Sequence, residues 1–278
     1  MTTLYVSDMD GTLLAPDSRV STETARIISD LTAKGALITV ATARTPATVE
    51  PLLSATATSL PAVVMTGAAL WNRREQRYEH PQTMHPYACE AIELLFRKYG
   101  ITPFVYTLGS DSMLRVYYRG NMSEKERKFV AERKHATLKR FYINETTAVE
   151  GSVALYFAMG ECRRIFALAD ALRATGACSV SAYIDIFGPD TGILEVFAPG
   201  VSKAAAIKRL KKAVGADRLV VFGDNLNDLP MMEIADVAVA VENALPEVRS
   251  AADEVIGPNS TDSVARFIAT DYAAGRLT

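Results

Sequence analysis

Short apolar runs of strand length recur along the chain, each followed by a segment with helical start or stop signals. LYVS at 4–7, LITVA at 37–41, AVVM at 62–65 and LVVF at 219–222 have the length and β-branched content of strands buried on both faces. DVAVAV at 236–241 makes a fifth. Between them, residues 22–34 predict a helix stopped by Gly35, and Thr45 followed by Pro46 opens another. Strands that alternate with helices predict a parallel, doubly wound α/β sheet.

That alternation fails between about 81 and 192. There, helix patterns at 85–99, 123–134 and 161–175 are separated by strand-like runs at 104–108, 113–118, 153–159 and 179–185. Ser123 with Glu126 reads as a capping box, and Gly100 and Gly176 stand where helices should end. The sheet pattern then resumes, so the middle block predicts an α+β insertion within one domain. The division expected is a core of residues 1–81 and 191–278, interrupted by an insert of 82–190.

Composition narrows the classes of function. The 278 residues are 49% apolar and 22% charged, enough to bury a sizeable core. Thirty basic residues against 32 acidic ones give a net charge of −2, which argues against a nucleic-acid partner or an anionic membrane surface. The densest basic stretch, 124–140, interleaves acids with its bases, as a solvated helix face does. Cys89, Cys162 and Cys178 lack metal-binding spacing and read as small buried apolar side chains in a reducing compartment. No apolar window is long enough to span a membrane, and Asp8 and Asp10 fall where a signal peptide needs its apolar run. The expectation is a soluble cytoplasmic protein, monomer or homodimer.

Candidate chemistry sits at the ends of the strands. DMDGT, residues 8–12, directly follows the first, where ligands bind beyond the carboxyl edge of a parallel sheet. In a turn, Asp8 and Asp10 can converge on one cation, with Gly11 allowing the bend; the plainer reading is an Asp-rich turn approaching a helix. GDNLNDL, 223–229, follows another strand and brings Asp224 and Asp228 to the same edge. Clustered carboxylates repel, so the arrangement implies a bound metal or a shared proton. A hard cation such as Mg²⁺ needs few protein oxygens and keeps waters. Thr42, directly after LITVA, offers a hydroxyl, and Lys203, at a helix start capped by Ser202, offers a positive charge; a phosphoryl group uses both.

Taken in order, DMDGT, ATAR around Thr42, GVSK with Lys203 and GDNLND resemble the four motifs of the haloacid dehalogenase superfamily of phosphatases, specifically its Cof-like subclass IIB. The likeness spans the whole chain, because the insert falls where that subclass carries an α+β cap domain on a Rossmann-like core. Asn243 and Ala244 resemble the family's Asn-Ala pair. The chain departs from the usual pattern at Ala43, at Thr66 and at Ala204, where relatives carry Gly, Asn and Gly respectively. Thr66 bears on substrate range.

The resemblance implies a Mg²⁺-dependent phosphatase working through an aspartyl-phosphate. Asp8 would be the nucleophile and Asp10 the acid that protonates the departing alkoxide and then takes a proton from water. Thr42, Lys203 and Asn227 would bind the phosphoryl group. Mg²⁺ would be held by Asp8, the Asp10 backbone carbonyl and Asp224, with Asp228 either a direct or a water-mediated ligand. The substrates implied are small phosphorylated metabolites, sugar phosphates first, with the cap choosing the leaving group. A phosphomannomutase-like phosphotransferase, a sucrose- or trehalose-phosphate phosphatase and a non-catalytic phosphate-binding module are the alternatives.

Overall fold

The computed structural model describes residues 1–143, 149–185 and 188–275, which fall into two compact units, Met1–Glu79 with Ser202–Thr278, and His80–Val201. Among the described residues of the first unit, five parallel strands run in the order Glu254–Ile256, Val237–Val241, Arg218–Gly223, Thr3–Ser7, Leu37–Val40. Leu4, Tyr5, Val6 and Ser7 are all buried, so residues pointing to either side are covered, as continuous apolar runs require. Helices Thr22–Ala33 and Ser263–Ala274 pack together beside the strand Thr3–Ser7, while Lys203–Val214, Leu229–Met232 and Pro246–Ala251 form a second group.

The strand order explains where a site can form. From Thr3–Ser7 the chain winds to one side through Leu37–Val40, and from Arg218–Gly223 it winds to the other. The two strands lie side by side with Thr3 opposite Arg218 and Ser7 opposite Phe222. Winding therefore reverses between them, and the chains leaving their carboxyl ends diverge and open a crevice. Asp8 and Asp224 are the first residues beyond those two ends.

One expected strand is placed differently. The run 62–65 has the composition of a parallel-sheet strand and does lie beside Leu37–Val40, joined to that segment by a single parallel bridge between Ala41 and Val63 and by the Thr42 N–H on the Val63 carbonyl, but without a parallel ladder. Its ladder is antiparallel: Ala62–Val64 pairs with Ala69–Asn72, which pairs with Arg77–Glu79. The cause is the turn Met65–Gly67, where three consecutive positive φ angles reverse the chain immediately after Val64. Of the two later strands, Arg77–Glu79 carries no apolar run to announce it. Local signals elsewhere correspond to structure: Ser21 caps Thr22–Ala33, the Ser202 hydroxyl accepts from Ala205 N at 3.1 Å, and Gly176 ends Cys162–Thr175 in the left-handed region. The cysteines are half-buried rather than enclosed.

In the second unit, six strands among the described residues form one sheet in the order Ser179–Asp185, Gly188–Phe197, Ser152–Glu161, Phe104–Leu108, Leu114–Tyr118, Lys139–Ile143, antiparallel except for the last pair. The unit runs to Val201, eleven residues past the end expected at 190, because Gly188–Phe197 is an interior strand of this sheet, paired on both sides. Helices Pro86–Lys98, Glu124–Arg133 and Cys162–Thr175 complete it, and Glu124–Arg133 carries the Ser123–Glu126 capping box.

Lys139 is an anomaly in this unit. It is buried, with Nζ 5.3 Å from the Tyr106 ring centre and 5.8 Å from that of Phe141. Burial, with Arg133 adding repulsion, pushes its amine down to about 7. At this site the folded chain thus binds fewer protons than the unfolded one between about pH 7 and 10.5, so the contribution of Lys139 to stability rises with pH across that window. Replacing Lys139 by Met is expected to stabilise the chain by about 1–3 kcal/mol at pH 7 and to flatten this rise. Urea denaturation at pH 7 and pH 9 reads both effects; an unchanged pH slope in Lys139→Met would assign the slope to other groups.

Candidate functional site

The DMDGT turn is shaped by one residue that must be glycine. Gly11 has φ +79°, and a Cβ there would stand 2.3 Å from Asp224 Oδ2. Its smallness lets the first acidic turn close on the second, which is how residues more than two hundred positions apart come to share a pocket. Thr12 Oγ1 donates to Asp224 Oδ1 at 2.9 Å, and Asn243 Nδ2 donates to the Gly11 carbonyl at 2.8 Å, so the turn is pinned on two sides.

Four expected residues converge here. Asp8 and Lys203 are buried and Asp228 is fully enclosed, at 6%, 3% and 0% exposure. Lys203 Nζ donates to Asp8 Oδ1 at 2.5 Å and to Asp228 Oδ1 at 2.8 Å. Asp228 Oδ2 accepts from the backbone N–H groups of Asp224 and Asn225 at 3.1 and 3.2 Å. Donor oxygens of Asp8, Asp224 and Asp228 lie within 4.8 Å of one another.

Three carboxylates thus face one ammonium, a formal charge of −2 with all three ionised, in a largely buried site. Burial holds the Asp8 carboxyl well above the usual carboxylate range against the pull of Lys203, and Asp228 and Asp224 push it further. Burial likewise raises Asp224 to about 6. For Lys203, burial opposes the charge, but Asp8 and Asp228 outweigh it and hold the amine above its usual range. A group of hard oxygen donors with this excess charge suits a divalent cation of the Mg²⁺ type.

The other expected residues lie around this cluster. Thr42 is buried just past Leu37–Val40, with its N–H on the Val63 carbonyl at 2.9 Å and its hydroxyl accepting from Arg44 N at 3.1 Å. Asn227 is exposed on the turn Leu226–Asp228. Asp10 does not join the buried cluster: its carboxylate receives both Nε and Nη2 of Arg44, at 2.7 and 2.6 Å. Sequence reasoning gave no role to Thr12 or to this Arg44 contact. Both residues sit inside quoted motifs, but only the fold shows which way their side chains point.

The haloacid dehalogenase-like hydrolase family matches residues 5–268. The chain is 24% identical over 267 residues to the 5-amino-6-(5-phospho-D-ribitylamino)uracil phosphatase YcsE of Bacillus subtilis, covering 95% of this chain and 94% of the relative. It is 25% identical over 281 residues to the HMP-PP phosphatase of Serratia proteamaculans, covering 95% and 93% respectively. The solved structure of the subclass IIB sugar phosphatase BT4131 matches with a TM-score of 0.73 at 20% identity, over 98% of this chain and 99% of that one. Among the described residues no helix is long and apolar enough to cross a membrane.

Proposed function

Because the chain belongs to the haloacid dehalogenase-like hydrolases, we propose that its acidic cluster hydrolyses phosphate monoesters of small metabolites, sugar phosphates among them, in the cytoplasm. The observation that carries this is the buried Lys203 ammonium shared by Asp8 and Asp228, with Asp224 beside them, at the winding reversal of the parallel sheet. Relatives of similar length named as phosphatases of a ribitylamino-uracil phosphate and of HMP-PP support the substrate class. The two compact units are proposed to be the core and the cap.

The chain's own residues then do the following. Lys203 engages Oδ1 of Asp8, and the other oxygen of Asp8 attacks phosphorus in line with the ester bond. As that bond breaks, Asp10 gives its proton to the departing oxygen. Water next attacks the phosphorus of the acyl phosphate and loses a proton to Asp10; the bond to Asp8 breaks and inorganic phosphate leaves. Thr42 and Lys203 offset the negative charge of the phosphoryl oxygens, and Asn227 is available to them from its exposed turn. Mg²⁺, held by Asp8 and Asp224 and by the Asp10 backbone carbonyl, would supply positive charge to the transferring group. Asp228 already has one oxygen on Lys203 and the other on two N–H groups, which favours its acting through Lys203 and water over direct ligation.

The direct test is release of inorganic phosphate from a panel of sugar and nucleotide-precursor phosphates, with and without Mg²⁺. No release from any of them would overturn the reading. A second test needs no turnover. Filling the −2 cluster with Mg²⁺ at a hundredfold excess over its dissociation constant stabilises the fold by about 2.7 kcal/mol, or roughly 5–10 °C in Tm for a chain of this size. The shift should vanish in Asp224→Asn; a shift that survives there places the cation elsewhere.

A further inference from the structure

Asp10 is held by a contact that no step of the reaction written above requires. Its side chain is 53% exposed and lies in the fork of Arg44. One N–H goes to each carboxylate oxygen, at 2.7 and 2.6 Å, which fixes the plane of the carboxyl group as well as its position.

Arg44 is itself anchored by a strained support. Its carbonyl accepts from Met65 N at 2.9 Å, and the Thr42 carbonyl accepts from Thr66 N at 3.0 Å. Met65 and Thr66 have φ of +48° and +56°, and the region costs a β-branched residue such as Thr66 most. Strain of this kind persists where neighbours over-determine the backbone. Here they do: at the next residue, Gly67, a Cβ would stand 2.2 Å from the Ser202 carbonyl oxygen. One turn therefore rests against the start of the Lys203 helix and grips the segment carrying Thr42 and Arg44. Arg44 is built into the same frame as the residues that hold the phosphoryl group.

We propose that Arg44 is the positioning residue for Asp10, its guanidinium fork setting where the acid stands when the ester bond breaks. This rests on the phosphatase reading and deepens it. A carboxylate offers about four lone-pair sites, of which the fork uses one per oxygen. The remaining sites are left for the proton that moves first to the leaving oxygen, as its bond to phosphorus breaks, and later from the attacking water, as its bond to phosphorus forms. A lysine would keep the charge but lose the plane, because an ammonium is a point donor.

The experiment compares the single-turnover rate of ester cleavage, which excludes the later water attack that also uses Asp10, for phenyl phosphate, whose leaving group needs the proton, with that for p-nitrophenyl phosphate, whose leaving group scarcely does. Parent, Arg44→Ala, Arg44→Lys, Asp10→Asn and the Asp10→Asn/Arg44→Ala pair are measured, each with its Tm. Arg44→Ala is expected to lose about 30- to 100-fold on the phenyl ester and less than about fivefold on the nitrophenyl ester, with KM nearly unchanged. Arg44→Lys should show the same contrast, which keeps the test open if the alanine variant fails to melt cooperatively. The double variant should match Asp10→Asn alone within about threefold, because the fork acts only through Asp10.

Equal losses on the two esters, a raised KM at an unchanged cleavage rate, or losses that multiply in the double variant would each overturn the proposal while leaving the phosphatase reading intact. A parent that releases phosphate from neither ester overturns both.

Discussion

Asp8→Asn is expected to slow phosphate release by about 10⁴-fold or more on every substrate, while unfolding at the parent's temperature or slightly above it. The two halves of this expectation have one cause. Asp8 is a buried carboxylate in a group that already carries too much negative charge. An amide of the same shape removes the attacking oxygen and with it one unit of that excess, so the chemistry stops and the fold relaxes. Catalytic groups held against their own electrostatic preference commonly show this trade. Steady-state release and a thermal melt in the absence of Mg²⁺ check both parts. Activity within tenfold of the parent removes Asp8 as nucleophile; a Tm lower by more than a few degrees contradicts the charge argument.

Lys203→Met should behave in the opposite sense on stability. Lys203 is the ammonium between Asp8 and Asp228, and its aliphatic stem is packed where exposure is 3%. Methionine keeps most of the stem and deletes the charge, leaving Asp228 fully enclosed without it. Removing one partner of a buried ion pair costs about 3–5 kcal/mol, which here is roughly a 10 °C fall in Tm, and phosphate release should fall at least about 10³-fold. The stability loss should shrink when Asp8→Asn is added, because fewer carboxylates then go unpaired. Additive losses in the double variant would mean that packing of the stem, not its charge, supports the fold.

The difference between what the residues disclose and what they conceal is physical. Strand-length apolar runs mark burial on two faces, and the acidic turns at their ends mark a sheet edge, so Asp8, Asp224 and Asp228 stand out as candidates by position, while Lys203 gains its place from the resemblance of the four motifs taken together. Pairing partners are another matter. Ala62–Val64 is as apolar as Val237–Val241, yet three left-handed residues after it turn the chain back into an antiparallel ladder. Apolarity records burial and not the neighbour. Side-chain direction is hidden in the same way: Asp10 lies two residues from Asp8, and only the positive φ of Gly11 and the reach of Arg44 decide that it faces away from the buried cluster. Nor does composition mark where the second unit ends, because its interior strand Gly188–Phe197 differs little from the strands of the parallel sheet that follow.

The pairing of Thr3–Ser7 with Arg218–Gly223 also governs how the protein comes into being. Thr3 meets Arg218, a partner 215 positions later. On a ribosome adding roughly 5–20 residues per second, the first strand waits about 10–40 s for that neighbour. Leu37–Val40 can cover one side of it early, but the other side stays an open ladder edge carrying Leu4, Tyr5 and Val6. Closing so long a loop is slow even after release. The acidic pocket is therefore among the last features to mature, and the nascent chain spends that interval as a target for chaperones that recognise extended apolar segments.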